Sequence, residues 1–66
     1  MNKSSGFFFY GNILFELGRY TEANVALEKA KRWNPMDADI AFEYAETYKA
    51  MGDIETFFDY TIEIFN

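Results

Sequence analysis

The chain contains no cysteine and no histidine among its 66 residues, and its only proline is Pro35. The lack of cysteine excludes a disulfide framework and thiolate chemistry, and the lack of histidine removes the commonest general base. The only serines, Ser4 and Ser5, have no candidate base close to them in sequence. We therefore expect no catalytic residue, no cofactor and no enzymatic activity.

Long apolar runs are also absent. No run approaches the roughly 20 residues that a helix needs to cross a bilayer. The aromatic segment at residues 7–10 is too short for the core of a signal peptide. Together with the lack of cysteine, these features predict a cytoplasmic protein that does not bind membranes.

Acidic residues outnumber basic ones by 11 to 6, which gives a net charge of −5. Residues 1–34 carry five basic and three acidic side chains, a net +2, whereas residues 35–66 carry Lys49 against eight carboxylates, a net −7. The acidic half would repel nucleic-acid phosphates, so we expect no nucleic-acid partner. The opposite signs permit head-to-tail attraction between chains, although solvated helix faces are the simpler interpretation.

Apolar residues recur at helical spacing in four stretches, which predict helices over residues 5–17, 21–33, 38–51 and 54–65. Gly18 ends the first helix as a left-handed cap, and Gly52 ends the third. Pro35 separates the second helix from the third, and Asp37 and Asp53 stand at the N-cap positions of the last two. Half of the residues are hydrophobic and 21% are aromatic, so we expect one small folded domain.

A 34-residue period relates the two halves of the chain. Gly18 and Gly52 are 34 residues apart, and the same shift places Phe8 on Phe42. Other pairs repeat the class of residue rather than its identity: Gly11 with Ala45, Leu14 with Tyr48, Leu17 with Met51. A fixed period of this length is typical of stacked-repeat architectures, in which each copy presents the same buried stripe to its neighbour.

The first copy has the residue pattern of a 34-residue helix–turn–helix. The matching residues are Tyr10, Gly11, Gly18, Tyr20, Ala23, Leu27, Ala30 and Pro35. In these residues the chain resembles the tetratricopeptide repeat family. The resemblance implies an all-α fold of two antiparallel helical hairpins, stacked as a short α-solenoid. The implied repeats span residues 4–35 and 38–66, and the second is divergent and lacks the family's polar capping helix.

Small residues in this family allow the two helices of a hairpin to approach closely. The resemblance implies that Gly11 faces Ala23 in the first hairpin and that Ala45 faces Phe57 in the second. The bulky residue in the second hairpin predicts either a more open hairpin or a side chain that points into a partner.

The resemblance also implies a non-enzymatic protein–protein interaction module that binds a peptide or partner helix in a concave groove. The implied groove residues are Phe8, Asn12 and Phe15 from the first helix, and Phe42, Glu46 and Lys49 from the third. Phe8 and Glu46 replace residues that a carboxylate-clamping subclass requires, which disfavours C-terminal tails and favours an apolar or basic segment. The alternative is that Phe8, Phe15 and Phe42 pack only against neighbouring helices.

Three acidic residues of the third helix, Asp39, Glu43 and Glu46, share one face, and paired carboxylates can hold a metal or perform acid–base work. Their spacing fits no loop-type calcium motif, and exposed acidic stripes are common on helices. We therefore expect no metal site.

The fourth helix is apolar around nearly its whole circumference, which is typical of a buried helix. We expect its residues Phe57, Phe58, Ile62 and Phe65 to form a self-association surface. Either the next repeat of a longer array covers this surface, or two chains bury it, most simply about a two-fold axis. Its burial by a second copy predicts a homodimer or higher oligomer, and the alternative function is then a self-assembling structural unit.

Overall fold

A computed structural model describes residues 3–65, except for the side chains of residues 64 and 65, and contains four helices. These are α1 (Lys3–Glu16), α2 (Tyr20–Trp33), α3 (Ala38–Ala50) and α4 (Ile54–Phe65). The described part of the chain has no strand, so the predicted all-α class is confirmed, and each predicted helix end lies within two residues of the observed one. The four helices fit two hairpins, α1–α2 and α3–α4.

The two hairpin turns have the same backbone geometry. Gly18 has φ +78° and Gly52 has φ +87°, a left-handed conformation that glycine adopts without steric cost. The amide of Arg19 donates to the carbonyl of Leu14 at 2.9 Å, and the amide of Asp53, 34 residues later, donates to that of Tyr48 at 2.8 Å. Both turns are therefore Schellman caps, and the predicted cap at Gly18 is confirmed.

The third and fourth helices begin at aspartates, as the sequence predicts. The Asp37 carboxylate accepts hydrogen bonds from the amides of Asp39 at 2.9 Å and Ile40 at 3.3 Å. The Asp53 carboxylate accepts from the amide of Thr56 at 3.2 Å. Each carboxylate thus accepts hydrogen bonds from amide groups in the first turn of its helix, which have no backbone acceptor.

The core lies between α1, α2 and α3. Its buried hydrophobic residues are Leu14, Ala23, Ala26, Leu27, Ala30, Ile40, Tyr44 and Ala45. None of the described side chains of α4 is fully buried, and Phe58 remains 58% exposed. In the described part of the chain α4 packs mainly against α3, so the apolar side chains on its opposite side are left exposed, and their burial by a further repeat or a second copy stays a prediction.

Aromatic stacking attaches α4 to the rest of the molecule. The Tyr60 ring stacks on the Tyr48 ring with their centres 5.7 Å apart, and it makes an edge-to-face contact with the Tyr44 ring with their centres 5.1 Å apart. The ammonium group of Lys31, on α2, lies 4.8 Å from the centre of the Tyr60 ring. Burial and hydrogen bonding to the neighbouring tyrosines raise the pKa of the Tyr44 hydroxyl, so this hydroxyl stays protonated. The tyrosines and Lys31 together join three helices.

Gly11 marks the closest approach of α1 and α2. A Cβ atom at this position would lie 2.7 Å from Cγ of Leu27 and 3.5 Å from the carbonyl oxygen of Ala23. The predicted approach of Gly11 to Ala23 is thus present, but the fully buried Leu27 side chain fills most of the space above the glycine. A larger residue at position 11 would push against a side chain that has no room to move.

We predict opposite effects for two glycine-to-alanine substitutions in α1. Gly11→Ala should destabilise the fold by about 1–3 kcal/mol, because overpacking against Leu27 outweighs the better helix propensity of alanine. Gly6→Ala is the matched control, since nothing lies within 4 Å of its added Cβ, and it should stabilise by up to about 1 kcal/mol. Urea denaturation followed by circular dichroism measures both, and equal effects of the two substitutions would contradict the close contact.

Candidate functional site

A cleft between α1 and α3 brings together residues from both helices. Its volume is about 560 Å³, and its lining residues are Asn12, Phe15 and Glu16 of α1 and Phe42, Glu43 and Glu46 of α3. Residues spaced by three and four positions lie on one side of a helix, which explains why each helix contributes a compact group. We call this site the α1–α3 cleft.

Four of the six groove residues proposed from the sequence line the α1–α3 cleft: Asn12, Phe15, Phe42 and Glu46. Phe8 does not line it; its half-buried ring lies 6.4 Å from that of Phe9. Lys49 also lies elsewhere, with its ammonium group 5.4 Å from the centre of the Phe57 ring on α4.

The sequence-based set fails at Lys49 for a geometric reason. The set was built from equivalent positions of the two repeats, so Phe15 and Lys49 occupy the same place on successive helices. Short connections reverse the chain at each turn, so α1 and α3 run in the same direction. Equivalent positions then point the same way, whereas each helix lines the cleft mainly with the flank that faces the other helix. Only one equivalent pair of the lining residues, Asn12 and Glu46, lines the cleft from both helices. Phe15 therefore faces the cleft while Lys49 faces α4.

Two cleft residues, Glu16 and Glu43, are absent from the sequence-based set. Each directly follows a phenylalanine of that set, Phe15 or Phe42. Both could have been found by asking which residues share one side of a helix with the predicted ones, since Glu16 is four residues from Asn12 and Glu43 is three from Glu46.

The α1–α3 cleft is acidic. Glu16, Glu43 and Glu46 line it, and none of the described residues that line it is basic. Burial raises the pKa of the Glu43 carboxyl, and the nearby charges of Glu46, Asp39 and Glu16 raise it further. The site therefore concentrates negative charge that no lining side chain neutralises.

The two aromatic residues of the cleft differ in exposure. Phe15 is half-buried, packs against the core residues Leu14, Ala23 and Ala26, and meets the edge of the Tyr20 ring at 5.1 Å. Phe42 is 42% exposed. The cleft thus combines one anchored ring with one ring that is open to contact.

Among the described residues, no group of three or more acidic side chains is arranged to hold a metal ion, and this includes Asp39, Glu43 and Glu46. In the same part of the chain, no helix is long and apolar enough to cross a membrane.

A second exposed surface lies on α4. Ile54, Phe58 and Ile62 follow each other at four-residue spacing and are 45%, 58% and 56% exposed. Phe57 of the predicted self-association surface is half-buried beneath Lys49, and the side chain of Phe65 lies outside the described residues. Ile54 was not in the predicted set, although it begins the same stripe.

Comparison with known proteins assigns the family. A family model described as TPR repeat matches residues 11–52, which include α2, α3 and every residue that lines the α1–α3 cleft. The chain belongs to the tetratricopeptide repeat family. No curated protein and no solved structure matches the chain. Repeats of this family are typically non-enzymatic scaffolds for protein–protein interaction.

The raised pKa of Glu43 predicts that its charge destabilises the folded state at neutral pH. A carboxyl whose pKa rises on folding costs stability above that pKa and none below its ordinary value of 4.5, where both states are protonated. Glu43→Gln should therefore raise Tm at pH 7, and the gain should vanish below that value. Asp59→Asn removes a charge outside the cleft and should change Tm little. A lower Tm for Glu43→Gln at pH 7 would contradict the assigned repulsion.

Proposed function

We propose that this tetratricopeptide repeat protein is a peptide-binding module whose α1–α3 cleft takes an extended segment with apolar and basic residues. The family supplies the general expectation of a protein partner. The chemistry of the cleft narrows that expectation to a segment that carries positive charge.

The observation that carries the proposal is the crowding of carboxylates beside an exposed aromatic ring. Burial raises the pKa of the Glu43 carboxyl, and repulsion from the nearby carboxylates of Glu46, Asp39 and Glu16 raises it further. A lysine or arginine from a partner would remove this repulsion and gain a charge-assisted hydrogen bond. Such a residue is favoured here over an acidic or neutral one.

The remaining cleft residues supply the other contacts that a peptide needs. Phe42 and the exposed edge of Phe15 offer an apolar surface for an aliphatic or aromatic side chain. The Asn12 amide can donate to and accept from a peptide backbone, whose polar groups require partners when water is excluded. Alternation of apolar and basic residues in the ligand matches these two kinds of surface.

The test uses two fluorescein-labelled octapeptides, one alternating lysine with leucine and the other alternating glutamate with leucine. The lysine peptide should bind, and the glutamate peptide should not. The double variant Glu43→Gln, Glu46→Gln should weaken binding of the lysine peptide at least tenfold, because two of the three carboxylates that line the cleft lose their charge. Phe42→Ala should also weaken it and leave helicity intact. Fluorescence anisotropy measures each affinity at a chain concentration where the protein is monomeric.

A control separates cleft binding from attraction to the net charge. The double variant Glu55→Gln, Asp59→Asn also removes two negative charges, but from α4, away from the cleft. It should leave the affinity within about twofold of the wild type. Equal losses in the two double variants would contradict a specific cleft. The proposal would also fail if the lysine peptide did not bind or if Phe42→Ala bound as tightly as the wild type.

A further inference from the structure

Both outer helices present exposed apolar residues at the two ends of the stack. At the α1 end these are Tyr10 and Ile13 of α1 and Leu17 directly after it, which are 55%, 58% and 65% exposed. On α4 they are Ile54, Phe58 and Ile62. Apolar residues in rows on opposite ends of one molecule indicate surfaces that are suited to contact with another.

The contact between α2 and α3 shows how one hairpin packs on the next in this protein. The side-chain amide of Asn24 donates to the hydroxyl of the buried Thr47 at 2.8 Å. The hydroxyl of Thr21 lies 3.6 Å from the sulfur of Met51. Tyr44 is also buried on this side of α3.

The 34-residue period shows which residues at the exposed ends are equivalent to those of the α2–α3 contact. Tyr44 and Thr47 of α3 and its C-cap Met51 correspond to the exposed residues Tyr10, Ile13 and Leu17 at the α1 end. On the other side, Asn24 corresponds to Phe58 and Thr21 to Glu55. The hydrogen-bonded pair Asn24 and Thr47 is thus replaced by an apolar pair, Phe58 and Ile13.

The charges at the two ends are complementary. The charged residues of α4 are all acidic, and they form a row beside its apolar stripe: Glu55, Asp59 and Glu63. At the opposite end, the ammonium groups of Lys3 and Lys29 lie over the Trp33 and Phe7 rings, at 4.9 Å and 5.6 Å from their centres. Both lysines border surface pockets that Tyr10 helps to line. Glu22 borders the same pocket as Lys29, but its carboxylate is paired with the Arg19 guanidinium at 2.9 Å.

We propose that copies of this chain associate head to tail, with α4 of one copy packed on α1 of the next in the register of the internal α2–α3 contact. Phe58 then meets Ile13 of the next copy, and the acidic row of α4 approaches the lysines at that copy's α1 end. Each copy keeps one free end of each kind, so the contact is heterologous and the assembly grows with concentration. This association uses surfaces other than the α1–α3 cleft and goes beyond the proposed function.

A two-fold dimer through α4 is less favourable than this arrangement. Pairing α4 with α4 about a two-fold axis would place the acidic row of one copy close to that of the other. Like charges that meet across an interface oppose association, whereas the head-to-tail contact places opposite charges together. The acidic row therefore distinguishes the two modes of assembly.

The test uses one variant that blocks each end. Ile13→Glu blocks the α1 end and leaves α4 intact, whereas Phe58→Glu blocks α4 and leaves the α1 end intact. Both residues are exposed in the single chain, so circular dichroism should show unchanged helicity. Met36→Glu, at a 91% exposed position outside both surfaces, is the control. Sedimentation equilibrium over a micromolar-to-millimolar series measures the mass.

The wild type and Met36→Glu should grow beyond dimers with increasing concentration, and each end-blocked variant alone should stay monomeric. An equimolar mixture of the two end-blocked variants should form dimers and nothing larger, because it offers one intact end of each kind. A wild type that is monomeric throughout would overturn the proposal. So would a closed dimer that Phe58→Glu abolishes and Ile13→Glu leaves intact, since that is the two-fold arrangement.

Discussion

The packing of α2 against α3 is the contact on which the rest of this structure depends. It is the junction between the two hairpins, and at its centre the Asn24 amide donates to the buried Thr47 hydroxyl. A hydrogen bond of this kind contributes about 1 kcal/mol, and the Thr47 hydroxyl that accepts it is fixed in place because it donates in turn to the carbonyl of Tyr44. The pair therefore favours one register of the second hairpin on the first. Lys31 strengthens the same junction, since its ammonium group lies over the rings of Tyr44 and Tyr60.

This register has consequences on both sides of the junction. It places α1 beside α3, so that the carboxylates of Glu16, Glu43 and Glu46 gather around Phe42 in one cleft. It also leaves the outer faces of α1 and α4 exposed in the described part of the chain, because only α2 and α3 have a helix packed on both sides. The peptide cleft and the exposed ends thus follow from one stacking geometry, and the proposed head-to-tail contact repeats that geometry between molecules.

Local structure could be predicted from the sequence because short-range signals determine it. Gly18 and Gly52 set the turns, Asp37 and Asp53 set helix starts, and the 34-residue period predicted the two-hairpin organisation. The cleft could be predicted only in part, because it depends on the flank that each helix turns toward its neighbour. The shared period therefore placed Lys49 in the groove by analogy with Phe15, although the side chain lies over Phe57. A self-association surface on α4 was expected from its apolar composition, but only the fold shows that Ile54 belongs to the exposed stripe and that Phe57 is half-buried beneath Lys49.

Nuclear Overhauser effects between side chains of α2 and α3 test the central contact most directly. The protein is isotopically labelled and measured at a concentration where it is monomeric. The account predicts cross-peaks between the Asn24 side-chain amide protons and the Thr47 methyl group, and between the methyl groups of Thr21 and Met51. If these cross-peaks are absent and α4 instead shows contacts to α1 within one molecule, the hairpins close into a bundle and the in-phase stacking is wrong.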